Sequence, residues 1–323
     1  MASDPVADLF TRARTERGPV PSPSDGAALR AVDRIVRADH RHRSPRWSAG
    51  RRLGLAAIAA TVAVVFGVLS PAWFALPSAL ALTPAPLTYT SGPTASDVLD
   101  ALSRLPESSV VAPVRGSTSE TWAVSIDGDS GRITPRPPQI EQLTWNEDRS
   151  GHILIVADKP FWPTSAQLPQ EVSSVPEPGA VLLDTRFAPG ELGVPFPAVP
   201  GESQDQLREA LHAFGLPARY TSQELAHALI RLLKVWTLSD AQHRQLVAIL
   251  LSAPGAQVRG SAEDHTGRAV IGVKVGASEG SRDILLISQE TGRIVGVESV
   301  AQKDEGPVRA GTVVYYRLWD TED

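Results

Sequence analysis

No charged side chain occurs between Arg52 and Asp97, and this gap constrains the chain more than any other feature. Its first part, residues 53–69, reads LGLAAIAATVAVVFGVL. A bilayer core about 30 Å thick takes roughly 20 apolar residues in helix. The 17 residues of 53–69 cover roughly 25 Å at about 1.5 Å per residue, and the uncharged residues up to Leu76 complete the crossing. The expected span is therefore 53–76, with Pro71 kinking or ending the helix because it lacks an N–H. Trp47 and Trp73 flank it, where aromatic rings favour the headgroup layer. Arg41, Arg43, Arg46, Arg51 and Arg52 precede it with no acid among residues 41–52. A positive flank stays on the cytoplasmic side, so the N-terminus is expected inside and the C-terminal part outside, with membrane lipids as a partner.

Two other readings of the gap compete. A buried core helix of a soluble protein fits poorly, because the uncharged stretch is long and its flanks are one-sided. A cleaved signal peptide draws on Ala79-Leu80-Ala81, a small-x-small site. That site lies 12 residues beyond Leu69, and some 50 residues precede the apolar run, so a retained anchor is the expectation. Gly50-Arg51-Arg52 shares with twin-arginine signals its arginine pair alone.

Charge divides along the same line. Residues 1–52 hold 11 Arg and 6 acids, a net of +5, which suits an anionic inner leaflet. Residues 83–323 hold 20 Lys plus Arg and 30 acids, a net of −10, which argues against a nucleic-acid partner. There is no cysteine, so disulfides, thiol nucleophiles and thiolate metal sites are excluded. The outer part must be held by its core alone, which its 241 residues allow.

The pattern along the chain gives four regions: a basic tail over 1–52, the span over 53–76, a linker over 77–94 and an outer domain over 95–323. In the tail, Ala28, Leu29, Val32, Ile35 and Val36 share one helical face that needs a membrane surface or a partner to cover it. Leu29, Val32, Ile35 and Val36 thus mark a candidate docking helix for a cytoplasmic regulatory protein; the plain alternative is a disordered basic leader. In the outer domain, Ser96 is the expected cap of a helix over 97–105, ended by Pro106. Strands are expected over 110–114, 120–126, 139–145 and 152–157. Residues 159–200 carry nine prolines, with one short strand expected over 180–187. Phe161, Trp162, Phe187 and Phe196 make this an ordered connection wrapping the domain, or a boundary between two subdomains, rather than a disordered linker.

Three helices follow, each opened by a capping-box pair: Ser203 with Gln206, Thr221 with Glu224, and Ser239 with Gln242. Strands are then expected over 257–260, 269–276, 283–288, 294–301 and 312–318, with a turn at Glu290-Thr291-Gly292-Arg293. The order of helix, strands, helices and strands predicts an α+β domain with an antiparallel sheet and packed helices.

Chemical motifs are sparse. Gly276-Ala277-Ser278-Glu279-Gly280 matches the G-x-S-x-G pattern, but a strand is expected after it where a nucleophile elbow needs a helix, so it reads as a hairpin turn. His212, His227 and His243 fall on the three helices without a metal-binding spacing, which points to surface or cap roles. His265 sits in the acidic turn Glu263-Asp264-His265-Thr266-Gly267, a place that attracts cations but is more simply a turn. With no phosphate loop, no dinucleotide fingerprint and no compelling carboxylate pair, neither a cofactor nor an enzyme is expected.

The layout of tail, arginines and anchor resembles the membrane-bound partners of extracytoplasmic-function sigma factors. More specifically, Ala269-Val270-Ile271-Gly272-Val273, Leu285-Leu286-Ile287 and Glu290-Thr291-Gly292-Arg293-Ile294-Val295-Gly296 are similar to a family of uncharacterised single-pass membrane proteins of high-GC Gram-positive bacteria, often encoded beside such sigma factors. The resemblance implies a membrane-anchored accessory regulator with an extracytoplasmic sensing or binding domain. It carries no catalytic residue over, and the cysteine-free tail departs from the zinc motif of many anti-sigma factors. The element order also resembles half-barrel carriers, which implies the alternative of an anchored module for a lipid or other apolar ligand. A structural envelope protein without a ligand is the plain third reading.

Overall fold

The computed structural model describes residues 83–105, 112–126, 133–134, 136–161, 175–277 and 280–320. No helix among the described residues is long and apolar enough to cross a membrane; the expected span over 53–76 and the tail before it lie outside them.

Four α-helices are described: α1 (Ala95–Arg104), α2 (Gln204–Ala213), α3 (Ser222–Val235) and α4 (Asp240–Ser252). Each opens with a reciprocal capping box, in which the cap hydroxyl accepts from the N3 amide and the N3 side chain accepts from the cap amide. The caps of α2, α3 and α4 are the predicted Ser203, Thr221 and Ser239. α1 differs. Its cap is Thr94, not Ser96, because the Asp97 carboxylate reaches back to the Thr94 amide at 2.8 Å and starts the helix earlier. Its buried residues are Val98 and Leu102.

The strands are β1 (Val114–Ala123), β2 (Ser125–Ile126), β3 (Ile133–Thr134), β4 (Gln139–Trp145), β5 (Gly151–Ala157), β6 (Val181–Phe187), β7 (Trp236–Thr237), β8 (Ala256–Glu263), β9 (Ala269–Ala277), β10 (Ser281–Ser288), β11 (Ile294–Ala301) and β12 (Val313–Trp319). The expected strands over 110–114 and 120–126 are replaced by a long β1 followed by the short β2. Nine strands lie in the order β6-β5-β4-β1-β12-β11-β10-β9-β8, with β7 added beside β1. Two meanders, β4 to β6 and β8 to β12, are sewn together by β1, which pairs antiparallel with β4 on one side and β12 on the other. The remaining neighbours along this order are antiparallel as well. The three helices α2 to α4 are inserted between the two meanders. The described part is thus a mostly antiparallel sheet with a few helices, an α+β arrangement.

The helices cover one face of the sheet. The Ser117 hydroxyl donates to the Lys234 carbonyl at 2.6 Å, and the Trp145 indole N–H donates to the Val235 carbonyl at 2.7 Å. Both fix the C-terminal end of α3 over β1 and β4, where Trp145 and Trp236 meet edge to face at 5.0 Å. Leu225, Leu229 and Leu232 of α3 and Leu246, Ile249 and Leu250 of α4 are fully buried. Burying such a side chain contributes about 1.5–3 kcal/mol, so this layer is a large source of cohesion.

The stretch expected as a linker is seated on the other face. Thr90 pairs with Ser261 of β8, and the Leu87 amide donates to the Glu298 carboxylate at 3.4 Å. The Tyr89 ring lies over Gly272, where a Cβ would come within 2.2 Å of it. Gly260, at φ 129°, lets the Thr90 carbonyl approach where a Cβ would clash at 1.9 Å.

Candidate functional site

Cross-strand register sorts the helix side of the sheet into rows. One row runs Asp283, Ser299, Tyr315 across β10, β11 and β12. The next runs Leu285, Val297, Arg317, Thr121, Gln139, and a third brings Ser119 opposite Glu141. The rows closer to Ser117 and Trp145 are apolar or lie directly beneath the end of α3. Two chemically distinct zones therefore adjoin on one face: an apolar zone under the helices and a polar zone spread over β10, β11, β12, β1 and β4.

Arg317 anchors the polar zone. Its side chain, 4 % exposed, donates to the Glu141 carboxylate, the Ser119 hydroxyl and the Tyr315 hydroxyl, each at 3.0 Å. Glu141 is 6 % exposed and Ser119 is fully buried. All three nitrogens of the guanidinium are thereby committed, which is the condition for a buried charge to persist. Tyr315, Ser299, Thr121 and Gln139 around it are half-buried, so the zone continues from a buried centre to accessible polar groups. At its β10 end the Ser299 hydroxyl donates to Asp283 at 2.7 Å, with His227 of α3 3.9 Å from the same carboxylate. Here the serine is bonded to the acid rather than to the imidazole, the reverse of a nucleophile–base pair.

A cavity of about 10 Å³, lined by Ser117, Trp236, His243, Arg293 and Trp319 among others, lies below the polar zone. It has room for about one water and none for an organic ligand. Arg293 closes that end by pairing with Asp240 at 2.8 Å and Asp320 at 2.7 Å. His243 is buried rather than at the surface, and accepts a hydrogen bond from the Ile294 amide at 3.1 Å. Burial, and then the Arg293 charge, hold its pKa well below the ordinary imidazole value.

The predicted sites fall as follows. His212 bonds to the Leu216 carbonyl, His227 faces Asp283 and His243 meets Ile294, so the three helical histidines are not brought together. The Asp264 carboxylate is occupied by Thr266 and Arg268. Burial would raise its pKa, but these partners hold it below the usual carboxylate range. His265 turns inward, pairing with Glu298 at 3.0 Å and stacking on Tyr316 at 4.5 Å. β9 and β12 lie three strand spacings apart, about 14 Å, so the β8–β9 turn folds over the sheet to make that contact. On that face the Tyr316 hydroxyl donates to Glu120 at 2.6 Å; burial chiefly raises the Glu120 pKa, against this hydrogen bond. Strands flank Gly276 and Gly280 on both sides, as a hairpin requires, and Ser278 and Glu279 lie outside the described residues. Among the described residues no three His, Asp or Glu side chains converge as a metal centre would need. The residues Arg41, Arg43, Arg46, Arg51, Arg52, Trp47 and Trp73, and Leu29, Val32, Ile35 and Val36, all lie outside the described part.

Sequence reasoning missed Arg317 and Glu141. The available signal was an isolated charge of opposite sign inside each of two predicted strands, 139–145 and 312–318.

No family model and no curated protein matches the chain. One solved structure with a slight likeness is a DUF1329 family protein from Desulfovibrio piger, at 12% identity over 72% of this chain and 92% of that one. The TM-score of 0.18 is too low for the comparison to carry any argument.

Proposed function

We propose that the chain is a membrane-anchored, non-enzymatic binding module whose outer domain takes an amphipathic ligand, a lipid or similar molecule, on the helix side of its sheet. The observation that carries this reading is the buried Arg317–Glu141 pair set beside the apolar layer of α3 and α4. A ligand with an apolar body and a polar end matches that division: the body gains from apolar burial, and the end is oriented by fixed hydrogen-bonding groups. The open antiparallel order with helices gathered on one face supports a half-barrel form. Because α3 and α4 pack tightly on the sheet, the ligand is assigned to the half-buried polar groups Tyr315, Ser299, Thr121 and Gln139 beside the helix layer. The uncharged segment over 53–76 and the arginines before it support an anchor that places this domain outside the cell membrane. The tail serves topology in this account; a role as accessory regulator of a sigma factor rests on the resemblance alone.

The test is affinity capture from native membranes, with lipids and proteins identified by mass spectrometry. Full-length protein is compared with a form lacking residues 2–45 and with the double variant Arg317→Met/Glu141→Leu. A lipid or other apolar molecule retained by the first two and lost from the third is the expected result. A cytoplasmic protein captured through the tail, with no small molecule on any form, would replace the binding reading with the regulatory one.

A further inference from the structure

A second site lies on the opposite face of the sheet, around the strap of residues 83–91. Lys274 of β9 stands opposite Ile284 of β10 and Gln257 of β8, on the side away from the helices, because its neighbours Val273 and Val275 are fully buried beneath them. Arg282 lies two residues before Ile284 on β10, and Arg259 two residues after Gln257 on β8. Arg259 and Arg282 are near enough to Tyr89 of the strap for their charges to act on its hydroxyl. Two arginines on β8 and β10 thus lie near one phenol, with Lys274 on the strand between them, in an outer region whose net charge is −10.

The donors there are unspent. The Tyr89 hydroxyl and the Arg282 Nε are buried and have no hydrogen-bond partner. Among the described residues no carboxylate forms an ion pair with Arg259, Lys274 or Arg282. The nearby acid, Glu298, is committed to His265 and to the Leu87 amide. Burial keeps the phenol protonated, so it can donate. Buried donors without partners are costly, and like charges on neighbouring strands repel; both penalties vanish when an anion is held between them.

We propose that Tyr89, Arg259, Lys274 and Arg282 form a binding site for a phosphate group. The guanidinium of Arg282 offers a fork of donors, Tyr89 adds a directional hydroxyl, and Lys274 and Arg259 supply charge. The phosphate belongs either to an anionic lipid headgroup or to a free phosphorylated solute. This inference stands apart from the amphipathic site on the helix side, and each can fail without the other.

The test uses the full chain in nonionic detergent micelles. Inorganic phosphate is titrated by calorimetry, and dansyl-labelled phosphatidylglycerol by energy transfer from tryptophan, with labelled phosphatidylcholine as the neutral control. Binding of phosphate, or of phosphatidylglycerol in preference to phosphatidylcholine, is expected. Arg282→Gln and Lys274→Gln should each weaken it by about tenfold, the effect of one lost charge-assisted hydrogen bond. Tyr89→Phe removes no charge and should weaken it several-fold at unchanged or higher Tm. Phosphate binding assigns the site to a free solute, and binding of phosphatidylglycerol alone assigns it to a headgroup. Wild-type protein that binds neither, or binding unaltered in Tyr89→Phe and Arg282→Gln, overturns the proposal.

Discussion

Replacing Glu141 by Leu should be far more damaging than replacing Glu141 and Arg317 together. In the native fold Arg317 is 4 % exposed and its guanidinium makes three hydrogen bonds, one of them to Glu141. Glu141→Leu leaves the Ser119 and Tyr315 bonds but takes the Glu141 counter-charge away from a permanent charge in a site with little access to water. Breaking a buried pair in this way costs about 3–5 kcal/mol. Arg317→Met removes the Arg317 counter-charge from the Glu141 carboxylate instead, with a loss of similar size, part of which is relieved when the acid takes up a proton. In the double variant neither member of the pair remains, and the cost of burying the pair disappears with it. The net change should lie within about 1 kcal/mol of zero or be stabilising, because well-packed apolar groups commonly match or exceed a buried ion pair. The coupling between the two positions is therefore several kcal/mol, well above the error of a double-mutant cycle. The assay is urea unfolding of the four proteins in the same detergent, followed by tryptophan fluorescence, since Trp145 and Trp122 sit on the affected strands. Additive losses, with the double variant the least stable of the four, would refute the reasoning and show that the pair is not buried as described.

Three other expectations follow from the same geometry. Protonation of His243 would end its acceptor role toward Ile294, and its depressed pKa means that the unfolded chain binds the proton first. Its contribution is therefore present above the ordinary imidazole pKa and is lost as pH falls below about 6.5, by at most about 1.4 kcal/mol per pH unit. Glu120 and Asp158, whose pKa values are raised by burial, have the opposite sign, losing stability as pH rises out of the carboxyl range. Comparing the wild type with His243→Gln at pH 7, 6 and 5 isolates the histidine; a stability difference that does not shrink toward acid would contradict the assignment. Gly272→Ala places a methyl against Tyr89 and should unseat residues 83–91, seen as faster amide exchange at Leu87 and Thr90 and faster proteolysis of the strap, with β9 and β10 little changed. Thr221→Ala removes the hydroxyl that accepts from the Glu224 amide and should cost about 1 kcal/mol in thermal unfolding.

Much of this architecture could be read from local signals. The three capping boxes at Ser203, Thr221 and Ser239 are short-range chemistry, complete within four residues, and they mark helix starts wherever the chain folds. β11 and β4 match their predicted ranges, because short runs of strand-forming residues bounded by turns are likewise local. What escaped depends on contacts distant in sequence. The partner of Arg317 is 176 residues away, and nothing near either residue announces the pairing. Residues 83–91 have a linker's composition, yet they are held by Ser261, Gly272 and Glu298, whose arrangement exists only once β8, β9 and β11 are side by side. His243 looked like a helix-surface residue until the β10–β11 turn closed over it. Thr94 and Ser96 are both acceptable caps by residue type, and only the reach of the Asp97 side chain to the Thr94 amide decides between them.

The most direct measurement of the central claim is native mass spectrometry of full-length protein released from its own membranes. It would be recorded for the wild type and for Arg317→Met/Glu141→Leu at matched folded fractions. The expected result is a discrete lipid-sized adduct on the wild type that is absent or strongly reduced on the double variant. A wild type that flies without any adduct, or an adduct held equally by both proteins, would contradict the assignment of a ligand to the helix side of the sheet.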